Sequence, residues 1–180
     1  MKIVDVFDAV EKGTFEDFIK FYNGNINQTR ESSGFNLLQQ TLLSEEETED
    51  KLRIIEYLLG EHIDINHVSK EAKRNALHTY YFSVYRPSIA FQNKVTKLLI
   101  TAGIDLNQQD AYGAIPLKYA ITINKLTTEE NKEMYKTLVK AGSDVNLKDN
   151  FGKSCLDYAA EYSWRNGFIT IVEECKNGDQ

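Results

Sequence analysis

Apolar residues in this chain come in short clusters at helical spacing, each closed by a polar turn. Reading from the N-terminus, the pattern predicts helices over about Val4–Glu11 and Thr14–Tyr22, then Asn36–Leu43 and Lys51–Leu59. A helix starting at Asn75-Ala-Leu-His78 is followed by one over about Asn93–Thr101, then by Pro116–Ile123, Asn131–Lys140, Cys155–Ser163 and Phe168–Cys175. The stretch Ala141–Ala160 shows the grammar most clearly. Gly142 supplies a left-handed C-terminal cap after Lys140, Asp144, Asn146, Asp149 and Asn150 with Gly152 form turns, and Ser154 is a good N-cap for the next helix. One unit upstream Pro116 stands at a first helical position, where its missing N–H costs nothing.

The phrase then recurs along the chain. Asn25-Ile-Asn27, Asp64-Ile-Asn66, Asp105-Leu-Asn107 and Asp144-Val-Asn146 lie 39, 41 and 39 residues apart. They divide one repeat domain, residues 1–180, into units of about 1–27, 28–66, 67–107, 108–146 and 147–180. The first unit lacks a preceding turn and the last ends in polar Lys176–Gln180, as expected of N- and C-terminal caps that stack on one side only.

Ala102-Gly-Ile-Asp-Leu-Asn107 followed by Asp110-Ala-Tyr-Gly-Ala-Ile-Pro-Leu-Lys-Tyr-Ala120, and its echo in the next unit, resemble the ankyrin repeat. That family's unit is about 33 residues, so each interval here is about six to eight longer. Five to seven of the extra residues fall between the paired helices of units two, three and four, in Ser44–Glu49, Val84–Phe91 and Asn124–Glu130. Thr127 and Thr128 before Glu129 and Glu130, and Ser44 before Glu45–Glu47, look like N-caps with acidic first turns, so longer second helices are expected. Pro87 forbids a continuous helix through Tyr85–Ser88.

The resemblance implies an all-α fold, an ankyrin-like solenoid of stacked antiparallel helix pairs with short finger turns. It also implies a concave face, made of fingers and first helices, that recognises another protein. Carried onto this sequence, the partner-binding residues are the finger tips Ala111, Tyr112, Asn150 and Phe151 with the far ends of first helices at Thr122, Ile123, Glu161 and Tyr162. His78 matches a family histidine that bonds turn backbone and holds neighbouring repeats in register.

Composition narrows the function. At 42% hydrophobic and 27% charged residues the chain belongs with soluble globular proteins, and a net charge of −6 argues against nucleic acid and anionic membranes and for a basic protein partner. No window approaches the length of a membrane span, and the acids of MKIVDVFDAVEKG are unlike a signal peptide, so a cytoplasmic, monomeric protein is expected. Cys155 and Cys175 have no metal-ligand or redox spacing and read as buried small hydrophobes. The Asp and Asn residues of the turns do not have the spacing of a calcium loop, and turn chemistry explains them. No phosphate-binding, dinucleotide, nucleophile-elbow or zinc-protease motif is present, and His62 and His67 make no pairing with His78 that would hold a metal. The expectation is a non-catalytic binding module without catalytic residues, metal or cofactor. It would act as an inhibitor or immunity-like protein, or else as an adapter or host-directed effector bridging two proteins.

Two stretches carry alternatives. In Tyr80-Tyr-Phe-Ser-Val-Tyr85 the bulky side chains either fill a core opened by the longer helices or, at Tyr80, Phe82 or Ser83, anchor a partner. Glu45–Asp50 is either a solvated face or a surface that steers a basic partner.

Overall fold

A computed structural model describes residues 2–83, 87–123 and 126–178. Val84, Tyr85 and Arg86 of the third unit's insertion, Asn124 and Lys125 of the fourth's, and the Asp179–Gln180 end of the polar tail lie outside them. The described residues form ten helices and no strand: α1 Val6–Lys12, α2 Phe15–Phe21, α3 Leu37–Thr41, α4 Glu49–Gly60, α5 Ala76–Phe82, α6 Ile89–Thr101, α7 Pro116–Thr122, α8 Thr128–Lys140, α9 Cys155–Ala160 and α10 Gly167–Asn177. None is long and apolar enough to cross a membrane.

Eight of the ten helices start where a side chain accepts from a free N–H group of the first turn, the exceptions being α7 and α10. Asn36, Asn75, Thr127 and Ser154 each close a reciprocal capping box with the residue three positions on. Ser44 does not cap a helix as expected. It ends the turn after α3, where its Oγ accepts from the Glu46 N–H, and Thr48 caps α4 instead, leaving Glu49 and Asp50 in the first turn. In the third unit α6 begins at Ile89, four residues before the expected start, because Pro87 and the Ser88 cap place the break ahead of it. The second helices α4, α6 and α8 therefore run 12 to 13 residues against seven in α2. By contrast α9 stops at Ala160, short of the expected Ser163.

Helix α1 packs on α2 and α3, α3 on α4 and α5, and the series continues through α5 on α7 and α7 on α9. On the other side α2 packs on α4, α6 on α8, and α8 on α10. Leu37, Leu77, Leu117 and Ala159 of successive first helices are fully buried, as are Ile54, Leu58, Val95, Leu99, Met134 and Leu138 of the second. Leu156 is only half-buried, and Cys155 takes the inward position at the α9 start. Tyr80 and Tyr81 are core residues, and Tyr81 and Tyr135 reach across their pairs to Thr96 Oγ1 and the Ala120 carbonyl. The core reading thus holds for those two positions, whereas Phe82 is 42% exposed.

Lys51 of α4 is fully buried, which an isolated charge could not tolerate. Its Nζ donates to the carbonyls of Val10 and Gly13 at 3.0 and 2.7 Å, closing the C-terminal end of α1 where the helix leaves acceptors free. Burial holds its pKa below the usual lysine value. Lys51→Met should therefore cost about 1–3 kcal/mol, since it keeps the stem but strands two buried carbonyls. Urea unfolding at neutral pH reads this directly, and an unchanged midpoint would mean that the carbonyls find other donors.

Candidate binding face

The turns preceding α7 and α9 are built alike. Asp110 Oδ1 accepts from the N–H groups of Tyr112 and Ala114, and Asp149 Oδ1 from those of Phe151 and Lys153. The other oxygen of each accepts from a tyrosine nine residues on, at 2.6 Å in both cases: Tyr119 for Asp110 and Tyr158 for Asp149. One buried carboxylate thus shapes each turn and ties it to the following helix. Burial and this hydrogen bond push the Tyr119 hydroxyl up to about 12 and raise that of Tyr158 as well.

Successive turns are also joined edge to edge. The Lys70 N–H donates to the Ser33 carbonyl, the Ala111 N–H to Ala72, and the Asn150 N–H to Tyr112, while Asn150 Nδ2 reaches the Ala111 carbonyl. Gly113, at φ +74°, is required here, because a Cβ on it would lie 2.5 Å from Asn150 Oδ1 and 2.8 Å from Asn150 N. In the third unit Lys73 stands in the corresponding left-handed position at φ +54°.

At the opposite edge the recurring asparagines do similar work. Asn27, Asn66 and Asn107 accept through Oδ1 from the N–H of Asp64, Asp105 and Asp144, each in the next unit, at 2.7–2.8 Å. Those aspartates accept in turn from the N–H two residues on, which is turn chemistry rather than cation coordination. No group of three or more His, Cys, Asp or Glu among the described residues is placed to hold a metal ion.

His78, fully buried at the third position of α5, meets the Ala114 carbonyl at 2.8 Å through Nε2. A carbonyl only accepts, so Nε2 carries a proton, while Nδ1 lies 3.3 Å from the Asn75 N and 2.8 Å from Asn75 Oδ1. Gln39, at the same position of α3, donates to the Arg74 carbonyl at 2.7 Å and accepts from the Asn36 N–H. The histidine's structural partner was legible in the sequence; the equivalent glutamine was not singled out.

Of the expected contact residues, Tyr112 and Phe151 project into solvent, 52% and 70% exposed, and Ala111 and Asn150 are exposed beside them. Glu161 and Tyr162 are exposed at the far end of α9. Thr122 and Ile123 are half-buried: Thr122 Oγ1 donates back to the Lys118 carbonyl, and Arg165 donates to the Thr122 carbonyl. They support the face rather than project from it. Neither a family model nor a curated protein matches this chain. Trp164, 48% exposed and tilted against Tyr162, belongs to the same region and was not singled out in the sequence.

A row of alternating cations and aromatic rings across α5, α7 and α9 also went unforeseen. The Arg74 guanidinium sits 3.6 Å from the Phe82 ring centre and 4.9 Å from that of Tyr119. Lys118 Nζ lies over Tyr119 and Tyr158 at 4.4 and 5.1 Å, and Lys153 over Tyr158 at 5.6 Å. Lys153 pairs with Glu161, which also meets Arg165, and Arg165 stacks on Trp164 and Tyr162. No single-residue signal in the sequence could find this row, because its members come from separate units. Burial pushes the Cys155 thiol up to about 12, which disfavours its thiolate near neutral pH.

Proposed function

We propose that this chain is a non-catalytic protein-binding module of the ankyrin-repeat type, a solenoid of helix pairs whose turns and first helices form the recognition face. The serial packing of first helices, the bonds between successive turns and the asparagine links between units all support the repeat reading. The observation that carries the functional reading is the pair Tyr112 and Phe151. Both are large, exposed and held by the same aspartate-shaped turn, so they are presented rigidly with little left to order on binding.

The decisive experiment is affinity capture on the immobilised full chain, run in parallel with a Tyr112→Ala/Phe151→Ala double variant whose fold is verified by circular dichroism and thermal melting. Proteins retained by the original chain should be lost from the variant, since truncating one anchored aromatic typically costs about 2–4 kcal/mol of binding. Equal retention on both would eliminate this face as the recognition surface.

A further inference from the structure

The inner layer of first helices packs in unbroken series from α1 to α9, but the outer layer of second helices does not. Helix α4 packs on α2, and α6, α8 and α10 pack in series, whereas α4 and α6 make no comparable contact with each other. The bulky residues of the third unit account for the step. Helix α4 lies directly on α3, while Tyr81 of α5 reaches across its pair to Thr96 of α6 at 2.8 Å, with Tyr80 packed beside it at 5.8 Å between ring centres. Large rings between two helices set them further apart than the small side chains of a close pair.

A groove of about 490 Å³ is left between α4 and α6. Leu59 of α4 faces Leu98 and Ala102 of α6 across it, and both leucines are half-buried. Lys94, Leu98, Thr101 and Ala102 line it at helical spacing along one stripe of α6, so it runs for about 12 Å, roughly two helical turns. Polar links hold units two and three at a fixed separation around it. His67 meets the Gly34 carbonyl at 2.7 Å, Gln39 donates to the Arg74 carbonyl, and Glu47 accepts from the Ser88 N–H and hydroxyl at the head of α6.

Every other neighbouring pair in the outer layer is bridged by an ion pair. Arg53 of α4 meets Glu16 of α2, Lys97 of α6 meets Glu133 of α8, and Lys136 of α8 meets Glu174 of α10. The α4–α6 groove carries the same two kinds of group on opposite walls, Glu56 on α4 and Lys94 on α6. Both are exposed, and neither makes an ion pair among the described residues.

We infer that this groove docks an amphipathic helix of a second protein, with an apolar stripe seated between Leu59 and Leu98, a basic flank turned to Glu56 and an acidic flank to Lys94. A two-turn apolar groove matches the i, i+3, i+4, i+7 face of a helix, and walls of opposite sign select a helix with mixed flanks over a uniformly charged one. A fatty-acid chain fits less well, because its one carboxylate would satisfy Lys94 and leave Glu56 opposite a like charge. The groove lies among second helices, apart from the turns that carry Tyr112 and Phe151, so the inference does not rest on the proposed recognition face. A chain with both surfaces would bridge two proteins.

The test follows the fluorescence anisotropy of three labelled peptides of about 18 residues, long enough to hold a helix in water, on the full chain. All three carry the same leucine stripe on an alanine-rich helix. One has lysine along one flank and glutamate along the other, one has lysine on both flanks, and one has glutamate on both. The mixed peptide should bind about threefold or more tightly than either uniform one. Glu56→Lys, a change at an exposed position, makes both walls basic and should move the preference to the all-glutamate peptide. Leu98→Asp, with its fold checked by circular dichroism, should weaken all three about tenfold or more, and if it does not fold the Glu56→Lys result decides alone. Tyr112→Ala/Phe151→Ala should leave all three affinities unchanged. The inference is overturned if no peptide binds, if Glu56→Lys leaves the order of the three unchanged, or if dodecanoate binds and the peptides do not. Loss of peptide binding in the Tyr112→Ala/Phe151→Ala variant also overturns it, since the peptides would then sit on the turns and the recognition face alone would stand.

Discussion

Replacing Leu117 with Ala should lower the unfolding free energy by about 3–5 kcal/mol, the largest loss expected from a single side chain here. Leu117 is completely buried at the start of α7, the helix that packs between α5 and α9, so truncation opens a cavity facing two neighbours at once. Neither neighbour is free to collapse into it, because the turn bonds at Ala111 and Asn150 hold the units at fixed separation. Leu156→Ala, at the matching position of α9, should cost about 1–2 kcal/mol, since that side chain is already half in water. Urea titrations of the two variants give the comparison. A Leu117 loss below about 0.5 kcal/mol would refute the packing of α7 described above.

Acidification should destabilise the fold between pH 6.5 and about 4 through His78. Burial lowers the pKa of this ring from 6.5 to about 4, against the Ala114 hydrogen bond and the charge of Asp110, which favour the protonated form. A group whose folded pKa is depressed contributes stability that is complete above its unfolded value and is lost as pH falls towards its folded one. The unfolded chain binds the proton first, so the loss accumulates to about 3 kcal/mol by pH 4. Asp17, Glu130, Asp157 and Glu174, whose pKa values are also lowered by their hydrogen bonds, act in the same direction at lower pH. His78→Gln separates the contributions, because Gln39 makes the same pair of bonds at the same position of α3 without titrating. Stability of that variant should stay nearly flat from pH 6.5 to 5 while the original chain declines. Parallel curves would show that the imidazole is not the titrating group.

Much of the molecule follows from local sequence. Helix starts at Asn75, Thr127 and Ser154 were legible because a capping side chain and its partner lie within three residues, and a ring closed that locally needs no tertiary help, while the start at Pro116 was legible from the fixed φ and missing N–H of proline. The turns with Asp110, Asp149, Gly113 and Gly152 were legible for the same reason, and with them the exposure of Tyr112 and Phe151. An error came where Ser44 reads as a cap, whereas Thr48 caps α4, the helix that carries the buried Lys51. Only the tertiary structure decided which side chains of separate units meet. The burial of Lys51, the matching roles of Gln39 and His78, and the cation–aromatic row through Arg74, Lys118 and Lys153 join residues from two or more units. The physical reason is the same throughout. Hydrogen bonds within a turn are short-range and written in neighbouring letters, whereas packing and charge balance depend on how far apart and at what angle whole helices come to rest.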